Sequence, residues 1–118
     1  MGLGLLLLGA CSATPYPGGI QSPDVSVRCR AIKLAGERRD RNALPALVER
    51  LEDEDEAVRF YTILALEKIT GTRLGYDYAQ SAAERGRAVK RWQNYLRTTP
   101  GPASQPTSSR ATARRDNP

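Results

Sequence analysis

NALPALVERLEDEDEAVRFYTILALEKITG, residues 42–71, divides into two apolar-faced runs separated by an acidic turn. In the first, Leu44, Leu47, Val48 and Leu51 recur at i, i+3, i+4 and i+7, which places them on one face of a helix. In the second, Val58, Tyr61, Thr62, Ala65 and Ile69 keep helical spacing, and Ile63 and Leu66 widen the stripe. So short a polar link makes two such helices antiparallel neighbours. A helical hairpin is therefore the unit of the chain.

Working outward, the unit is partly repeated. Shifted by 31 residues, Asp24-x-x-Val27-Arg28 falls on Asp55-x-x-Val58-Arg59, and Ile32 falls on Ile63. Self-similarity at a period of roughly 20–50 residues is the mark of a solenoid. The D-x-x-V-R opening of a helix, preceded by an L-x-x-L-V-x-x-L helix, resembles the HEAT-repeat family. The resemblance spans residues 23–97. It implies an all-α fold, a short HEAT-like α-α solenoid of about four helices. It also implies that Asp24, Arg28, Asp55 and Arg59 hold neighbouring repeats together. The helical domain is expected over 22–97, with disordered termini on both sides.

Within that domain, Ser22 is the expected cap of the first helix, with Pro23 in its first turn. Val27, Ala31 and Leu34 line one face, beside Cys29, Ile32 and Ala35, and the helix ends near Gly36. It matches the second helix of a hairpin, so the array opens on half a repeat. Glu37–Arg41 is a solvated connection and Asn42 is the expected next cap, with Pro45 tolerated in the first turn. Gly71 reads as a left-handed C-cap. Ser81-x-x-Glu84 makes a capping box, and the final helix reaches Arg97 with Val89, Trp92, Leu96, Ala88 and Tyr95 on its apolar side. Trp92 closes the end of the core, as a terminal repeat requires.

The chain has 118 residues and no histidine, which removes Ser-His and Cys-His nucleophile activation, His metal ligation and the commonest general base. Two cysteines exclude a four-Cys zinc site. The acidic turn Glu52–Glu56 offers hard oxygen ligands but lacks the glycine and the alternation of a calcium loop. It reads as a solvated turn compensating the dipole of the helix it precedes. No metal and no cofactor are expected, and no nucleophile–base pair or carboxylate cleft supports an enzyme.

Residues 1–10 are apolar or small and uncharged, and end Leu8-Gly9-Ala10 before Cys11. An apolar run before small residues is a secretory signal and cleavage site. With Cys11 directly after, it resembles the lipobox of bacterial lipoproteins, which makes Cys11 the acylated residue. No positive charge precedes the run; a start further upstream would supply one. Residues 11–21 read as a flexible tether, and 98–118, poor in apolar side chains, as a disordered tail. Cys29 sits at an apolar helical position as an inert thiol; a Cys11–Cys29 disulfide is the alternative if Cys11 escapes acylation.

The expected function is non-catalytic: protein–protein interaction or scaffolding by a lipid-anchored, exported protein of the bacterial cell envelope, facing the periplasm or outer surface. The candidate contact residues are Tyr61, Tyr76 and Tyr78, as exposed aromatics anchor partners. So short an array has missing burial that homo-oligomerisation or a partner supplies. Two alternatives remain at this stage. One is a lyase-like or chaperone-like role handling a chromophore, since HEAT-like repeats also occur in proteins resembling phycobilin lyases. The other is nucleic acid, which would use Arg85, Arg87, Lys90, Arg91 and Arg97, the tail arginines Arg110, Arg114 and Arg115, and stacking on Trp92 and Tyr95. Nucleic acid is disfavoured, because Trp92 fits the apolar face.

Overall fold

The computed structural model describes residues 19–100, and the elements among them are helical. They are α1 (Val25–Glu37), a 3₁₀ turn (Arg41–Ala43) running into α2 (Leu44–Arg50), α3 (Glu56–Thr70) and α4 (Ala82–Thr98). Helix α1 packs chiefly on α3, and α2 packs on both α3 and α4. The core between them holds Ile32, Leu47, Leu51, Val58, Ile63, Leu66 and Trp92, each without solvent exposure. All four apolar positions of the first run are buried, as the spacing predicts.

The period of 31 residues is a period of geometry as well as of sequence. Asp24 Oδ1 accepts from the backbone N–H of Ser26 and Val27, at 2.8 and 3.2 Å. Asp55 Oδ1 repeats this with Ala57 and Val58, at 2.9 and 3.2 Å. Both aspartates are extended, with φ near −88° and −87°, so each caps the helix it precedes. One turn in, Arg28 Nη1 donates to the Ser22 carbonyl and Arg59 Nη1 to the Asp53 carbonyl, each at 2.8 Å. Ser22 thus stands where the next unit has Asp53.

Helix α1 begins later than the sequence suggests. Asp24 is its cap, and Ser22 instead accepts from the Asp24 N–H at 3.0 Å. Two acceptor contacts to the first turn favour the carboxylate over the serine. Its buried stripe is Ala31, Ile32, Ala35 and Gly36, rotated from the expected Val27–Ala31–Leu34 line, and Val27, Cys29 and Leu34 are half-buried. Gly36 is the reason: a Cβ there would lie 2.8 Å from the Ala65 Cα, so α1 and α3 approach through their backbones. Before α2, the capping side chain is Asp40, accepting from the Asn42 N–H, so Asn42 lies inside the 3₁₀ turn rather than capping α2. Gly71 ends α3 with φ 86°, the left-handed cap expected of it. Ile20, inside the stretch expected to be a tether, is buried in the core.

The return from α3 is not a helix. Residues 71–81 travel back along α3, so that Trp92 Nε1 donates to the Arg73 carbonyl, Tyr76 Oη to the Leu51 carbonyl and Arg59 Nε to the Tyr78 carbonyl. Helix α4 starts from there and ends beside the start of α2, where Arg41 Nη2 donates to Tyr95 Oη at 3.4 Å. It therefore runs antiparallel to α2. The signal sequence expected at 1–10, Cys11 and the tail beyond Pro100 lie outside the described residues.

Candidate functional site

Three places carry more chemistry than packing requires: the acidic turn, the basic helix α4 and the outer face of α1 and α3.

The acidic turn is committed internally. The sequence places Asp53 in a solvated turn, but its side chain is 2% exposed. Its two oxygens face Arg28 Nε and Nη2 at 3.1 Å each, and Oδ2 also meets Arg50 Nη1 at 3.1 Å. The Nε contact is one of charge at short range rather than an aligned hydrogen bond. Asp53 Oδ1 additionally accepts from the Asp55 N–H at 2.9 Å. The carboxylate that bridges two units is therefore Asp53, which the sequence reading passed over, while Asp24 and Asp55 serve their own helices. The residues alone do not mark it, because Asp53 sits in a run whose neighbours Glu52, Glu54 and Glu56 are exposed. Among the described residues, no group of three or more His, Cys, Asp or Glu side chains could hold a metal ion.

Helix α4 spends much of its charge on the protein itself. Arg91 Nε donates to the Leu74 carbonyl at 2.8 Å, Arg85 donates to the Gln80 carbonyl, and Arg87 pairs with Glu84 at 2.7 Å. Trp92 is fully buried with its ring edge-on to Tyr95, centroids 5.4 Å apart. It offers no face on which a base can stack.

The outer face of α1 and α3 is different. Ser26, Arg30, Lys33 and Glu37 follow one another at helical spacing on α1, and Ala57, Tyr61, Leu64 and Lys68 do so on α3, 31 residues later. Between the two rows runs a shallow groove lined by Lys33, Gly36, Glu37, Tyr61, Leu64, Ala65 and Lys68. The close approach at Gly36 and Ala65 forms its floor. Aromatic rings lead into it: Tyr78 packs edge-on against Phe60 at 5.0 Å, Phe60 against Tyr61 at 5.3 Å, and the Lys33 ammonium stands 5.3 Å from the Tyr61 ring centre. Each of the three rings is half-buried. Arg59, almost fully buried below, fixes this strip by holding the Tyr78 carbonyl at 3.2 Å.

Of the three tyrosines read as exposed contacts, the structure brings Tyr61 and Tyr78 together through Phe60, which sequence reasoning did not single out. Tyr76 is a correction: it is 3% exposed, and burial pushes its phenol up to about 12. Its hydroxyl is needed to satisfy the carbonyl at the end of α2, which draws the ring inward. Cys29 is half-buried, and desolvation, then the nearby Asp55 charge, raise its thiol above the usual range. That disfavours the reactive thiolate. No described helix is long and apolar enough to cross a membrane.

A family model described as HEAT repeats matches residues 19–92. No curated protein and no solved structure matches the chain.

Proposed function

The chain belongs to the HEAT-repeat family, whose members generally mediate protein–protein interaction as non-catalytic scaffolds, and from that premise we propose that it binds a protein partner through the outer face of α1 and α3. The observation that carries this reading is the strip Tyr78–Phe60–Tyr61 leading into the groove beside Leu64. Three rings held half in water supply large contact area at little entropic cost, the composition of an interface anchor. The test is a photo-crosslinking side chain at position 64, with a second at 90 on α4 as control. Protein adducts at 64 and none at 90 are expected. Adducts at 90 alone would place the interface on the other layer.

The setting proposed for this module is the bacterial cell envelope, with a lipid at Cys11. Support comes from Leu8-Gly9-Ala10-Cys11 and its resemblance to a lipobox. One acylated cysteine with several chains anchors stably where a single chain does not. Intact mass of the protein from its native start decides it. A mature species beginning at Cys11, carrying acyl mass and losing detergent partitioning in Cys11→Ser, is expected; a soluble chain beginning at Met1 overturns it.

A further inference from the structure

Resting on the protein-binding reading, we infer that the groove between α1 and α3 takes an acidic segment of the partner, with one apolar side chain seated over Gly36. Charge is the first reason. Lys33 on one wall and Lys68 on the other form no ion pair with any described residue, and Arg30 stands one turn before Lys33 on the same face. Glu37 is the one acid among the groove residues, so the two rows together present three cations against one anion. Glu67, next to Lys68, is paired with Arg73, and Glu52, Glu54 and Glu56 lie toward the opposite, N-terminal end of α3. A partner acid meeting Lys33 and Lys68 makes charge-assisted contacts across the groove.

Shape is the second. Leu64 and Tyr61, above a floor of Gly36 and Ala65, line a shallow apolar depression between the lysines. A segment with an aliphatic or aromatic residue flanked by Asp or Glu matches it in both respects, and the complementary charge sets which partner is accepted. Nucleic acid fits less well. The Tyr61 ring lies beside the Lys33 ammonium and Phe60 is packed edge-on by two neighbouring rings, so neither presents a bare face on which a base can stack. A bilayer fits less well too, because Val25 is the one large apolar side chain classed as exposed among the described residues.

The probe is a fluorescein-labelled synthetic peptide with a central leucine flanked on each side by glutamates, titrated into the full chain. Its counterparts carry lysines in place of the glutamates, or alanine in place of the leucine. Anisotropy gives affinity, and amide chemical shifts on the labelled protein give the site. The glutamate–leucine peptide is expected to bind at least about tenfold tighter than either counterpart, by summed charge contacts and one buried side chain. Its shifts should be confined to α1 and α3. Charge reversal in Lys33→Glu with Lys68→Glu should invert the preference for glutamate over lysine; both sites are on the surface, and circular dichroism checks that the fold is kept. Equal binding of the glutamate and lysine peptides at α1 and α3 overturns the acidic-segment inference and leaves the protein-binding reading standing. Shifts produced there only by a DNA oligonucleotide, or only by vesicles containing phosphatidylglycerol, overturn both. Absence of peptide shifts alongside crosslinking at position 64 overturns the inference alone.

Discussion

Arg28 and Asp53 join two successive units of this chain: the guanidinium leaves α1, and the carboxylate that receives it sits in the turn before α3, with two contacts at 3.1 Å. Arg50 closes the other side of the same carboxylate. Removing Asp53 leaves two guanidinium groups facing one another with nothing between them. Asp53→Ala is expected to lower the stability measured in urea by about 3 kcal/mol, the scale for breaking a buried pair. Glu54→Ala, at the next residue but exposed, should change it by less than about 0.5 kcal/mol.

Two glycines in helices give opposite expectations. Gly36→Ala places a methyl 2.8 Å from backbone of α3, which cannot move aside alone, and should cost about 2 kcal/mol as the helices separate. Gly86 in α4 has nothing within 4 Å of where its Cβ would stand, so Gly86→Ala should gain about 0.8 kcal/mol from helix propensity. Thermal unfolding of the two variants side by side checks both signs.

Tyr76 makes stability fall in alkali. Its phenol is raised from 10.0 to about 12 by desolvation. The neutral phenol is favoured by the fold, so its contribution is complete below the ordinary value and is lost as pH rises from there through about 12. Ultraviolet titration should show one tyrosine ionising late. Tyr76→Phe should abolish that late component and cost about 1 kcal/mol at neutral pH.

At the acid end the sign reverses. The Ser26 hydroxyl, then the Val27 and Ser26 backbone N–H groups, hold the Asp24 carboxyl below its ordinary 3.8. Its capping contribution is therefore present above that value and is lost as pH falls through the lowered one. Asp24→Ala should flatten the acid limb of a stability–pH curve, and Asp55→Ala should weaken α3 by about 1 kcal/mol as its equivalent cap.

Local chemistry explains which parts of the architecture were legible from residues alone. Leu44, Leu47, Val48 and Leu51 announce a buried face by spacing, and Gly71 announces a stop by its freedom at positive φ. The caps shifted by a residue or two because Ser22, Asp24, Asp40 and Asn42 are all competent acceptors, and only three-dimensional competition decides between them. Asp53 hid inside an acidic run in which its neighbours are solvated; burial is a property of register, not of residue type. Tyr76 and Tyr78 flank the same aspartate, yet a carbonyl at the end of α2 draws one inward while Phe60 holds the other at the surface. The path of residues 71–81 along α3 carried no periodicity to read.

The series of arginine contacts from Ser22 through Asp53 to Tyr78 also sets how such a chain can change length. Ser22 begins it where Asp53 would otherwise stand, and the Tyr78 carbonyl ends it where another carboxylate would otherwise be. Between them, the caps and arginines of α1 and α3 follow one period of 31 residues. Duplicating residues 24–54 after Glu54 therefore copies a whole rung, arginine and receiving aspartate together, without disturbing either end. A gene encoding this protein can grow by in-frame tandem duplication of that segment, and the Ser22 and Tyr78 contacts are kept in the product.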